Sequence, residues 1–140
     1  MIRKFDSKDI DIIMSIWEEE NIKAHNFISK AYWQNNFEYV KNVLPNAEIY
    51  VYEEENRIQG FIGLEHNYIA GIFVSSAFQS KGIGKQLLQY VKRMKNELTL
   101  NVYKKNVRAV QFYQRENFCI IRENIDESTN ETEYEMVWKK

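Results

Sequence analysis

The stretch QSKGIGKQLLQYVKRM, Gln79 to Met94, decides how the rest of the chain is read. Its second half spaces Leu87, Leu88, Val91 and Met94 along one face of a helix, and its first half puts Gly82 and Gly84 where the chain must turn into that helix. A helix start leaves backbone N–H groups without intrahelical acceptors, and the helix dipole adds partial positive charge there. Glycines let a ligand approach such a backbone closely, so the turn is suited to a phosphate. One exposed helix end contributes only about 0.3–1 kcal/mol electrostatically, so a phosphate ligand needs several N–H bonds and further contacts. The plainer reading is a tight strand-to-helix turn with no ligand.

Two phosphate motifs can be tested letter by letter. A Walker loop needs an earlier glycine and a following Ser or Thr, and around Gly84-Lys85 those places hold Gln79 and Gln86. The dinucleotide fingerprint needs a third glycine, and Leu87 stands there.

Upstream of the turn, NYIAGIFV, Asn67 to Val74, reads as a strand. Before it, EIYVYE and RIQGFIGL flank the polar EENR as an antiparallel hairpin. Further back lie two periodic runs. Ile10, Ile13, Met14 and Trp17 follow the capping candidates Asp6 and Ser7, and Trp33, Phe37, Val40 and Leu44 follow Ser29 until Pro45. A short strand, Ile2 to Phe5, precedes them. Downstream, ELTLNVY alternates as a strand, Asn106 caps a helix over Val107 to Glu116, and FCIIREN with YEMVWK closes the chain as a hairpin across Asp126 to Thr132. The order implies an α/β (α+β) domain: a mixed, mainly antiparallel central sheet of about six to seven strands flanked by about four helices. Residues 1–140 are expected to form one domain.

Composition narrows the function classes. Nineteen Lys and Arg against 20 Asp and Glu leave a net charge of -1, no global field for nucleic acid or an anionic membrane. The single Cys119 cannot form an internal disulfide, the amino terminus MIRKFDSKDI lacks a signal-peptide core, and no apolar run has membrane-spanning length. A cytoplasmic protein with no nucleic-acid partner, no membrane partner and no metal is expected. Cys119, in the alternating FCII stretch, reads as a buried small residue.

IFVSSAFQSKGIGKQLL, Ile72 to Leu88, resembles the acetyl-CoA signature of the GCN5-related N-acetyltransferase (GNAT) family: a strand, Gln or Arg, two residues, Gly, one residue, then Gly or Ala. Gln79, Gly82 and Gly84 match it. The strand LTLNVY followed by NVRAVQFYQRENF is similar to the family's second signature, and the element order fits over essentially the whole chain. The tripeptide His25 to Phe27 is similar to the HNF-like sequence of small bacterial members. In two places the pattern departs: Ser76 stands where many members carry Pro, and Asn117 where most carry Gly. Asn is well suited to the left-handed conformation a helix end needs.

The resemblance implies acetyl-CoA as co-substrate. The backbone of Ile72, Phe73 and Val74 would pair with the pantetheine arm, and amides from Gln79 through Ser80, Lys81, Gly82, Ile83, Gly84 and Lys85 would surround the pyrophosphate. Asn106, Ala109 and Phe112 would lie beside the coenzyme, although Asn106 has a capping role to fill as well. Tyr113 matches the family's general acid; a phenol of pKa about 10 stays protonated at neutral pH and can protonate a departing thiolate, whose conjugate acid is near 8.5. Its alternative reading is a packed aromatic between Phe112 and Phe118. For the base that deprotonates an acceptor amine, Glu65, His66 and His25 are candidates, the first two at a turn between strands where solvent exposure is the plainer reading. Trp17, Tyr32, Trp33 and Tyr39 either line an acceptor cleft or, as their helical spacing says, pack in the core. The expected activity is acetyl transfer to a primary amine by direct attack in a ternary complex, in a monomer or homodimer. The competing readings are a non-catalytic acyl-CoA-binding or sensing module and a nucleotide-binding or nucleic-acid-binding module, against which the failed Walker spacing and the absent basic excess count.

Overall fold

The computed structural model describes residues 1–140. Its strands are β1 (Ile2–Lys4), β2 (Glu48–Glu54), β3 (Arg57–Glu65), β4 (Tyr68–Val74), β5 (Glu97–Tyr103), β6 (Cys119–Asp126) and β7 (Glu131–Lys139). The helices are α1 (Ile10–Ala24), α2 (Lys30–Val43), α3 (Ile83–Lys92) and α4 (Val107–Arg115). One seven-stranded sheet runs in the order β1-β2-β3-β4-β5-β7-β6, antiparallel except where β4 meets β5. The expected mixed, mainly antiparallel sheet with four helices is the fold observed. No helix is long and apolar enough to cross a membrane.

Local chemistry sets the elements. Asp6 and Asp9 form a reciprocal capping box before α1, Ser29 caps α2 and Asn106 caps α4, each supplying an acceptor to an orphan N–H. Glu55 and Asn56 turn β2 into β3 with φ of 53° and 62°, the pair of left-handed residues that a type I′ hairpin requires. Asn117 ends the α4 region at φ 72°, as its place in the sequence implied.

Alternation along β2 and β3 feeds two cores. Tyr50, Ile62 and Leu64 join Leu87, Leu88 and Val91 of α3 on one face, while Ile49, Val51 and Phe61 join Ile13 and Ile16 of α1 on the other. Leu87, Leu88 and Val91 are fully buried, and each such side chain contributes roughly 1.5–3 kcal/mol, which anchors α3 and with it the glycine turn. Met94, grouped with that face by spacing, lies past the helix end and is exposed.

Two sequence expectations need correction. Cys119 is exposed, as are Ile120, Ile121 and Ile125, because β6 is the outermost strand and only β7 flanks it. Tyr39 is also exposed, on the outer side of α2.

Candidate functional site

The site begins with a bulge. β3 pairs Gly63 with Gly71 and Leu64 with Ile69, so Ala70 is an extra residue in β4. A bulged strand bends, and this bulge follows directly on the last contact with β5, which pairs only Tyr68 with Thr99 and Ile69 with Leu100. Beyond it β4 diverges from β5 and opens a cleft of about 1330 Å³. Ser75 N donates to Gln59 O of β3, so by strand alternation the peptide groups of Phe73 face β3 and those of Ile72 and Val74 face the cleft. An open strand edge therefore forms one wall.

The glycine turn closes one end of that wall. Gly82, at φ 80°, caps α3, and no backbone N–H from Ser80 through Lys85 donates to a carbonyl within the chain. The first helical bond is Gln86 N to Gly82 O. A side chain at Gly82 would meet nothing within 4 Å, so glycine serves the left-handed conformation there; at Gly84 it would meet Phe112, Val74 and Ile72 at ordinary contact distances. A run of free amides at a helix start, anchored by a buried helix face, fits a diphosphate, and the adjoining strand edge fits an extended amide-bearing chain.

Gln79 is occupied differently. Its Nε2 donates to Val74 O and to Glu20 Oε1, both at 2.9 Å. Glu20 Oε2 accepts from Ser76 N at 3.2 Å and Ser76 Oγ at 2.9 Å, so one nearly buried carboxylate of α1 straps the end of β4 to the glycine turn. Ser76, in the place of a proline, supplies two of those donors. Sequence spacing gave no sign of Glu20, which sits among the polar run EEEN.

Tyr113 of α4 is buried at 8% exposure, lines the cleft and packs against Phe112 and Phe118, so the packed-aromatic and cleft-facing readings both hold. Its hydroxyl makes no hydrogen bond within the chain, and burial, with Tyr68 nearby, pushes its pKa well above that of a free phenol. Asn106, Ala109 and Phe112 line the same wall.

His25 ends α1 at the cleft. Its Nδ1 lies 2.9 Å from Asn21 O, its Nε2 lies 3.3 Å from Asn106 Nδ2, and its ring stacks on Trp33 at 5.1 Å. Burial lowers its pKa, so the neutral ring donates from Nδ1 and accepts at Nε2. Asn106 thus joins His25 to the start of α4, where its Oδ1 accepts from Ala109 N.

The other base candidates lie elsewhere. Glu65 and His66 are solvent-exposed at the β3–β4 turn, outside the cleft, because the turn projects beyond the end at which β4 and β5 are still paired. Lys81 also points away, with Nζ 5.7 Å from the Phe78 ring, while Lys85 lines the cleft. Trp17 and Trp33 line it too; Tyr32 and Tyr39 do not. Residues that sequence reading missed include Tyr68, Asn101, Tyr103, Asp126 and Glu133, which gather where β4, β5, β6 and β7 border the cleft. Tyr103 donates to Asp126 Oδ2 at 2.6 Å and Asn101 donates to Glu133 Oε1 at 3.0 Å.

Comparison with known proteins agrees with this geometry. Residues 14–137 match the family described as "Acetyltransferase (GNAT) domain". The chain is 36% identical to the peptidyl-lysine N-acetyltransferase YiaC of Escherichia coli, covering 86% of this chain and 84% of that protein. It is 28% identical to the peptidyl-lysine N-acetyltransferase YjaB of Salmonella typhimurium, covering 90% and 88% respectively. In fold, it resembles the solution structure of apo YjaB from Escherichia coli with a TM-score of 0.87 at 24% identity, over 99% of this chain and 96% of that one. The PaiA N-acetyltransferase of Thermoplasma acidophilum, solved with coenzyme A, superposes with a TM-score of 0.83 at 18% identity, over 100% and 98%. With a matching domain over most of its length and a relative above a third identical, the chain belongs to the GNAT family and is an acetyl-CoA-dependent N-acetyltransferase.

Proposed function

We propose that this enzyme acetylates lysine side chains presented on peptides or proteins, by direct attack of the amine in a complex that holds donor and acceptor together. The observation that carries the proposal is the divergence of β4 from β5, which leaves one continuous cleft with free amides at the glycine turn and Tyr113 in its wall. The volume exceeds what a drug-sized ligand fills, room enough for two substrates. The choice of lysine rests on the two relatives named peptidyl-lysine N-acetyltransferases.

Acetyl-CoA supplies an activated acetyl thioester. In this reading the Ile72 and Val74 peptide groups pair with its pantetheine arm, with Phe73 packing behind them. The amides of Ser80 through Lys85, Gly82, Ile83 and Gly84 among them, bond its diphosphate, and Lys85 and the more distant Lys81 add positive charge at the rim. Gln79, strapped to Glu20, fixes the turn rather than the ligand. Asn106, Ala109 and Phe112 border the arm from α4. The Tyr113 hydroxyl gives its proton to the departing thiolate; burial keeps it protonated across the physiological range. His25, neutral and held at both nitrogens, orients Asn106 and forms a wall. Glu65 and His66 receive no role. We further propose that residues 1–140 act as one catalytic unit in the cytoplasm, a reducing compartment compatible with the free, exposed Cys119.

The test is free-thiol release with purified enzyme, acetyl-CoA and lysine peptides, beside free lysine, polyamines, aminoglycosides and amino-terminal peptides. Faster release with lysine peptides than with every other amine, and acetyl-lysine in the product by mass spectrometry, is expected. Preference for another amine would replace the acceptor assignment.

A further inference from the structure

The acceptor end of the cleft holds two carboxylates without a cation. Neither Asp126 of β6 nor Glu133 of β7 has a Lys, Arg or His nitrogen within 4.0 Å, although neighbouring Glu131 and Glu135 are paired with Lys105 and Arg122. Asp126 is spoken for: it accepts from Tyr103 Oη at 2.6 Å and from Ser128 N at 3.0 Å. Glu133 accepts a side-chain hydrogen bond only from Asn101 of β5, which holds Oε1 at 3.0 Å and leaves Oε2 without one. The facing titratable groups are Asp126 on β6, whose charge raises the Glu133 pKa, and Tyr68 on β4 and Tyr32 on α2, whose pKa values the Glu133 charge raises. None is cationic. Tyr68 also lies close enough to raise the Tyr113 pKa, and Glu133, Tyr68 and Tyr113 all line the one cleft.

We propose that Glu133, positioned by Asn101, is the catalytic residue that takes the proton from the acceptor ammonium. This inference rests on the amine-acetyltransferase reading above. An alkylammonium of pKa about 10.4 is protonated at neutral pH and has no lone pair for attack. Its N–H donates to the free Glu133 oxygen, the proton passes to the carboxylate, and the neutral nitrogen forms its bond to the acetyl carbon as the carbon–sulfur bond breaks. The thiolate takes the Tyr113 proton, the nitrogen's second proton restores the phenol, and Glu133 later releases its proton to solvent, so one acetyl group is transferred and one proton leaves. Burial raises the Glu133 pKa, the Asn101 bond opposes the rise and Asp126 adds to it, which brings the carboxylate toward the operating pH where a base is most effective. The paired negative charge also draws a cationic acceptor to this end of the cleft.

The test compares wild type, Glu133→Gln and Asn101→Leu, with acetyl-CoA saturating. For a lysine peptide, E133Q is expected to lower kcat/KM by roughly 10²–10⁴-fold and to remove the acidic limb of its pH profile, with acetyl-CoA affinity unchanged. With hydroxylamine, already neutral at pH 7, the same variant is expected to lose far less. Asn101→Leu removes the bond that lowers the Glu133 pKa, so its acidic limb is expected to move to higher pH, an outcome available even if E133Q folds poorly. An E133Q enzyme as active as wild type toward lysine peptide, or an acidic limb unmoved in N101L, overturns the assignment while leaving the transferase reading intact. A wild type that releases no thiol with any amine overturns both.

Discussion

Replacing Tyr113 by Phe removes one hydroxyl from the cleft wall and leaves the ring against Phe112 and Phe118. The hydroxyl has no hydrogen-bond partner in the chain, so the substitution deletes no internal bond. Stability is expected to stay within about 1 kcal/mol of wild type, since no internal bond is lost and the hydroxyl borders the open cleft, where water can reach it. A positioned proton donor contributes roughly 10²–10⁴-fold, which at 1.36 kcal/mol per decade is about 3–5 kcal/mol of barrier. Turnover should therefore fall by that factor while acetyl-CoA affinity, set at the glycine turn and strand edge, stays nearly constant. Because burial raises the phenol pKa further, Tyr113 does not titrate between pH 6 and about 9, and the loss should be uniform across that range. Steady-state thiol release, calorimetry with acetyl-CoA and thermal unfolding on the same preparations separate these quantities. Turnover within about threefold of wild type would refute the acid role, and a stability loss much beyond 1 kcal/mol would show that the hydroxyl has a structural partner.

Four further outcomes are expected. Gly82→Ala forces a side chain into φ 80° and should cost about 1–2 kcal/mol in thermal unfolding. Gly84→Ala meets only ordinary contacts and should leave stability nearly unchanged while weakening acetyl-CoA binding in calorimetry, since its methyl borders the free amides. Glu20→Gln sets an amide N–H against the Ser76 or Gln79 donors and should destabilise by about 1.5–3 kcal/mol and weaken acetyl-CoA binding, both of which thermal unfolding and calorimetry would register. At the far edge of the sheet, the Arg3 guanidinium bonds Asp9 at 2.8 Å and holds its carboxyl below the usual range, with the Asp6 N–H assisting. A depressed folded-state pKa stabilises above the unfolded value near 3.9 and is lost as pH falls through the folded one, so the stability gap between wild type and Asp9→Asn in chemical denaturation should shrink from about pH 5 toward 2.

Much of the site was legible because local rules govern it. The helix-start amides follow from two glycines and an apolar stripe over four positions, and Asn106 and Asn117 carry their cap and left-handed geometry in their own side chains. Tyr113 was found through the motif around it, although spacing alone leaves it a core aromatic. What escaped depends on elements far apart in the chain. Glu20 meets Gln79 across 59 positions and His25 meets Asn106 across 81, distances over which no periodicity carries information. The Cys119 and Tyr39 assignments failed for a related reason: alternation and helical spacing say which residues share a face, but whether anything covers that face is decided by neighbouring elements.

The sequence by itself determined the element order, the turn that can hold a diphosphate and the family to which the chain belongs, since each rests on contacts within a few residues or on a motif read in one stretch. Tertiary structure alone decided where the cleft lies, because it opens at one extra residue, Ala70, whose bulge is visible only once β4 is paired with β3. It also decided which carboxylates face that cleft. Glu65 and Glu133 are indistinguishable as letters at strand positions, yet the fold carries one out to solvent at a turn and sets the other beside Asn101 with no cation to neutralise it.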